Sequence, residues 1–208
     1  MNEQKNRWGV SGGERYLPPT LARVGLCPPW RMGIWWFLGS EVVVFGGLIA
    51  SYILYRFHHP EWGVEAAHTL SSIGAINTVV LLTSSLTMIL AHHRVEGKEL
   101  AGAIRFLGVT ILLGCLFLGF KSYEYHHEIK NGFVPARSLF WSFYYLMTGL
   151  HALHVIGGQV ANLVVWQGLR KGRSLHRIES VGIYWHFVDV VWIFLFPLLY
   201  LASSGGVR

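Results

Sequence analysis

Near the C-terminus, residues 184–201 read YWHFVDVVWIFLFPLLYL, an apolar run that carries Asp189, the sole aspartate of the chain. His186 precedes it by three residues, so on a helix the imidazole and the carboxyl share one face. Trp185 and Trp192 lie on the same stripe. A second apolar run, 139–166, carries His151 and His154 in line with Tyr144, Thr148, Gly158 and Asn162. Three imidazoles and one carboxylate on two helices are the raw material of a transition-metal site or of axial haem ligation. They are equally the material of a structural His–Asp hydrogen bond that joins two helices. Glu41 stands alone among Val and Phe in a third run. It reads either as a proton-transfer group or gate at a wet cleft, or as a neutral acid hydrogen-bonded to another helix. A fourth set, Glu124, Tyr125, His126, His127 and Glu128, follows an apolar run and reads as a solvated helix end at the membrane interface, able at most to buffer protons there.

Groups of this kind cost roughly 3 kcal/mol or more each when unpaired at membrane depth. The helices that carry them must therefore turn these faces toward other protein. Membrane depth is what the composition implies. Of 208 residues, 52% are hydrophobic and only 13% charged, at a mean hydropathy of +0.41, where a soluble domain carries about 25% charged residues. Five apolar runs, 34–55, 73–91, 103–120, 139–166 and 181–201, predict an all-α integral membrane bundle of five transmembrane helices. It occupies residues 31–202, between a polar arm (1–30) without a signal-peptide core and a short tail (203–208). The fourth run, at 28 residues, exceeds the roughly 20 needed to cross, with Gly157–Gly158 a plausible bend and Pro197 a kink late in the fifth. Gly108, Gly114 and Gly119 allow close helix approach in the third run, and the hydroxyls of Thr83, Ser84, Ser85 and Thr87 offer hydrogen bonds in the second.

The net charge of +6 comes from bases in short loops beside apolar runs, which speaks for topology and against nucleic acid. Twelve lysines and arginines fall on the side of the N-terminus and five on the other. The positive-inside rule then places the N-terminus in the cytoplasm and the C-terminus outside. Trp35, Trp36, Trp141, Trp166 and Tyr200 sit where interfacial aromatic belts are expected. Cys27 and Cys115 imply no disulfide framework. The chain has no nucleotide-binding loop, no G-x-S-x-G, no H-E-x-x-H and no C-x-x-C.

Five segments in order carry a family resemblance: WWFLGSEVVVFGG (35–47), INTVVLLTSSLTM (76–88), GFKSYEYHHEIKNG (119–132), TGLHALHVIGG (148–158) and YWHFVDVVWIFLF (184–196). Together the chain resembles subunit III of the haem-copper terminal oxidases, in its five-helix form. That resemblance implies a non-catalytic subunit of a proton-pumping respiratory oxidase in a bacterial inner membrane. It would bind no haem or copper of its own, those belonging to partner subunits, and would pack directly on oxidase subunit I among other oxidase subunits. It would hold phospholipid in a cleft and support proton uptake, with Glu41 matching the family's intramembrane carboxylate. His151, His154, His186 and Asp189 would match its polar helix–helix network. Rival readings are a quinol-oxidase or nitric oxide reductase-associated relative, a free-standing proton transporter using Glu41 and Asp189, and a haem or metal enzyme using His151, His154 and His186.

Overall fold

The computed structural model describes residues 29–172 and 177–201, and these are helical between short turns. Helix α1 spans Pro29–His58, a one-turn α2 spans Trp62–Ala66, α3 spans Ser71–Glu96, α4 spans Leu100–Lys130, α5 spans Leu139–Arg170 and α6 spans Arg177–Phe196, continued by a π-helical turn at Pro197–Leu201. Four segments are long and apolar enough to cross a membrane: Met32–His58, Ser71–Glu96, Leu100–Lys130 and Arg177–Leu201. Helix α5 is as long, 32 residues, but is less apolar, because it turns Tyr144, Thr148, His151, Gln159 and Asn162 inward. A helix walled in by its neighbours can carry polar groups that a lipid-facing one cannot.

Helices α3, α4, α5 and α6 close a ring, each packed on the next and α6 back on α3, while α1 leans on α6 and α5 from outside. Seven-residue spacing sets the seams. On α4 the buried positions are Ala103, Leu107, Thr110, Gly114, Phe117, Lys121, Glu124 and Glu128, an uninterrupted alternation of three- and four-residue steps typical of supercoiled helix packing. Among its described side chains helix α1 buries only Leu38, Phe45 and Tyr52, seven residues apart, so it is held along one narrow line.

Glycine opens the tightest of these contacts. A Cβ on Gly114 would overlap the Gln159 amide and stand 2.9 Å from the Trp185 ring, and one on Gly158 would stand 2.8 Å from the same ring. Gly158 is thus a seat for Trp185, while Gly157 faces the Tyr184 hydroxyl, and α5 remains helical through the pair. Gly119, by contrast, has nothing near its missing Cβ. At Pro197 the chain abandons α-helical pairing for the wider π-turn, as expected where a residue without an N–H interrupts the ladder.

Three expectations shift. Helix α1 begins at Pro29, inside the segment read as the arm; the rest of that arm, Cys27, residues 173–176 and the tail lie outside the described residues. Trp141 and Tyr200 are fully buried and belong to no interfacial belt, whereas Trp35 and Trp36 are exposed. The third helix does not stop with its apolar run at residue 120: α4 runs on to Lys130. At 1.5 Å per residue its 31 residues span about 46 Å, well beyond the roughly 30 Å of a bilayer core.

Candidate functional site

The polar side chains of the interior form three separate groups. The first joins α1 to α5. His154 donates through Nδ1 to the Leu150 carbonyl at 2.8 Å, and its Nε2 stands 3.0 Å from Glu41 Oε2. With Nδ1 already the donor, a hydrogen bond at Nε2 requires one proton between imidazole and carboxyl. Either the acid or the ring can carry it. Phe45 packs edge-on against the His154 ring at 5.2 Å, and Tyr184 of α6 donates to the His154 carbonyl at 3.0 Å. Both side chains retain slight exposure, 13% for His154 and 16% for Glu41, so the contact sits at the edge of the bundle.

The second group lies between α3 and α6. Ser85 Oγ and His186 Nδ1 are 2.6 Å apart. Trp185 donates to Ser84 at 3.1 Å, and Ser84 donates in turn to the Thr110 carbonyl. Thr87 and Thr110 are 2.8 Å apart, and Trp192 donates to Thr78 at 3.1 Å. The hydroxyl-rich middle of α3 therefore serves as the acceptor row for the tryptophans of α6. Asp189 is buried beside Ser85, yet neither of its oxygens has a hydrogen-bond partner among the described residues. His151 is likewise buried without a partner at either nitrogen, wedged against Trp192 at 5.1 Å and edge-on to Phe117 at 5.7 Å.

The four residues expected as one network on α5 and α6 thus go to different places. His154 reaches α1, His186 reaches α3, and no hydrogen bond joins either helix's histidines to Asp189. The stripe periodicity was sound, but an i, i+3 spacing fixes a face and leaves open which neighbour that face meets. Among the described residues no three His, Cys, Asp or Glu side chains come together as a metal-ligand set.

The third group is the one that sequence reasoning misplaced. Glu124 and Glu128 are fully buried and Lys121 nearly so, which overturns their reading as a solvated helix end. Only His126 of that set is exposed, with Tyr125 and His127 partly so. The Lys121 ammonium donates to Glu124 Oε2 at 2.9 Å, to the Tyr144 hydroxyl at 3.1 Å and to the Tyr200 hydroxyl. Tyr144 donates to the other Glu124 oxygen at 2.8 Å. The ammonium also lies 4.8 Å from the Tyr144 ring centre and 5.5 Å from that of Trp192, within cation–π range. Tyr125 is 2.6 Å from Thr148 Oγ1. This cluster ties the end of α4 to α5 and to the π-turn after α6. The signal was present in the sequence: Lys121, Glu124 and Glu128 continue the seven-residue stripe of α4 as its last three members.

Among the described residues the arrangement brings titratable side chains together and locks helices to one another. Comparison with known proteins adds the family. Residues 25–204 match the family model described as cytochrome c oxidase subunit III. The chain is 36% identical over 177 residues to cytochrome c oxidase subunit 3 of Thermostichus vulcanus, covering 83% of this chain and 87% of that one. It is 37% identical to cytochrome c oxidase subunit 3 of a Synechocystis species, covering 84% and 76%. With cytochrome bo(3) ubiquinol oxidase subunit 3 of Pseudomonas aeruginosa it shares 35% identity, covering 83% and 84%. The five-motif resemblance, the helical bundle and these matches agree: the chain belongs to the cytochrome c oxidase subunit III family.

Proposed function

We propose that this chain works as a non-catalytic, five-span subunit of a respiratory oxidase, seated directly on the catalytic subunit I. Membership in subunit III of the haem-copper oxidases is carried by the family match over residues 25–204. The observation that carries the finer reading is the contrast within the bundle: its polar groups turn inward, while α1 presents Trp36, Val43 and Phe57 outward. A helix held by one narrow seam, with bulky apolar residues on its other sides, suits contact with lipid or another subunit. In this reading α5 also crosses the membrane, as the fourth of five spans in chain order, walled in enough to carry its polar face. The N-terminus lies in the cytoplasm of a bacterial cell and the C-terminus outside, following the bias of basic residues. Haem and copper, and the reduction of oxygen, belong to partner subunits. Phospholipid occupies apolar grooves such as the one between α1 and α6, lined by Phe45, Ile49, Val190 and Phe194, and the Glu41–His154 pair beside it is the candidate for a part in proton uptake.

The test is purification through a tag on this chain in mild detergent. The expected result is recovery of a haem- and copper-containing complex whose spectrum leaves with the partners when this chain is stripped away. A haem band or stoichiometric copper retained on the isolated chain, or proton flux through liposomes containing it alone, would overturn the reading. The same preparation decides the electron donor. Oxidation of reduced cytochrome c is expected; oxidation of a quinol instead would place the chain with the ubiquinol-oxidase relatives.

A further inference from the structure

The Lys121 cluster contains one ammonium and two carboxyls, and its hydrogen bonds do not treat the carboxyls alike. Lys121 has three N–H donors, and all three are engaged, on Glu124, Tyr144 and Tyr200. Tyr144 gives its proton to Glu124, and Tyr145 gives its own to the Phe133 carbonyl at 2.8 Å. Glu124 is therefore doubly supported. Glu128, one turn further along α4 and buried within electrostatic reach of Lys121, Glu124 and Tyr145, has no partner at either oxygen among the described residues. His151 of α5 also lies within electrostatic reach of the ammonium, buried and without a partner at either ring nitrogen among the described residues.

An ionised carboxylate in that position would be a second negative charge against a single positive one, with the donors of Lys121, Tyr144 and Tyr145 already committed. Such a group either acquires a compensating cation or becomes neutral. A neutral acid brings its own donor and balances the cluster at one ammonium and one carboxylate. We propose that Lys121, Glu124 and Glu128 form an internal proton-binding site, in which Glu128 is held as the neutral acid while Lys121 and Glu124 remain an ion pair. The ligand is a proton and nothing larger. The site is separate from the Glu41–His154 pair: Glu41 belongs to α1, and none of its hydrogen bonds connects to the Lys121 cluster.

Infrared difference spectroscopy on the intact oxidase complex tests this, with each variant compared against wild type at neutral pH in light and heavy water. The carbonyl stretch of a protonated, deuterium-sensitive carboxylic acid is expected to disappear in Glu128→Gln, one per chain, and to shift in Glu128→Asp. Glu124→Gln should leave that band in place. If either Glu128 variant fails to assemble, the other still reports, since one deletes the band and the other moves it. An unchanged carboxylic-acid region in both variants would mean an ionised Glu128 and would overturn the proposal. So would a band that appears only after chelation and salt exchange, because a bound cation would then be the native occupant.

Discussion

The start and the middle of α5 solve the same problem differently. At its start, Tyr144 belongs to a cluster that binds α4, α5 and the π-turn through a buried ammonium with all three donors used. Further along, His154 offers one imidazole nitrogen to Glu41 of a helix that touches the rest along a single seam. Within the Lys121 cluster the polar groups are interlocked, and removing the ammonium orphans several others. At the α1 contact two bonds are at stake, His154 with Glu41 and Tyr52 with the Leu198 carbonyl, and losing the first removes no hydrogen bond between the helices of the ring. The ring is thus the folded unit, and α1 is an attachment whose grip can be altered without undoing the fold.

The most damaging change should be Lys121→Met. It strands Glu124 in a dry setting, and breaking a buried ion pair costs about 3–5 kcal/mol. The expected outcome is failure to accumulate or a sharp fall in melting temperature in detergent, with partial recovery in Lys121→Met combined with Glu124→Gln. If the single variant melts like wild type, the cluster does not hold the ring. Next comes Gly158→Leu, which drives a side chain into the Trp185 ring. Overpacking of this kind costs about 1–3 kcal/mol, and the same change at Gly119, which meets nothing, should be nearly silent. Equal effects at the two glycines would remove the seam argument.

His154→Ala and Glu41→Gln probe the other side of the comparison. An interhelical polar contact in a membrane is worth about 0.6 kcal/mol on average, so the ring should melt almost normally. Protease cleavage at the α1–α2 turn should nevertheless accelerate, most in His154→Ala. In the assembled oxidase Glu41→Gln should leave assembly intact and change proton uptake or the loss of activity during sustained turnover. Smallest of all, Trp36→Ala on the exposed face should shift the stability of the chain by no more than about 0.5 kcal/mol. A large loss would mean that α1 folds back on the ring through that face.

How much of this was legible beforehand divides along the same line. The apolar runs located every long helix, because membrane depth demands an unbroken apolar stretch. Glu41 was recognisable as a group that needed a partner on another helix. Its partner was not, because which helix faces which is decided by packing among five elements and leaves no trace in spacing alone. The Lys121–Glu124–Glu128 cluster was misread for a different reason. Charges beyond an apolar run were assumed to meet water, although α4 outlasts the apolar run and its stripe continues without a break. Tyr200, assigned to the interface, is the third contact of that ammonium. Period, more than polarity, was the reliable guide at that end.

The π-turn after Phe196 has a consequence for angular register. On an unbroken α-helix, at about 100° per residue, Tyr200 would point about 80° away from Trp192. Absorbing one extra residue in the wider turn swings it back to within about 20°, and the two rings indeed meet with centroids 6.1 Å apart. The bulge acts as a phase corrector, letting one rod serve the tryptophan row below and the ammonium above. Shortening that turn by a single residue should therefore harm the protein more than most substitutions within it, since it would aim the phenol away from its socket while leaving the composition of the segment almost unchanged.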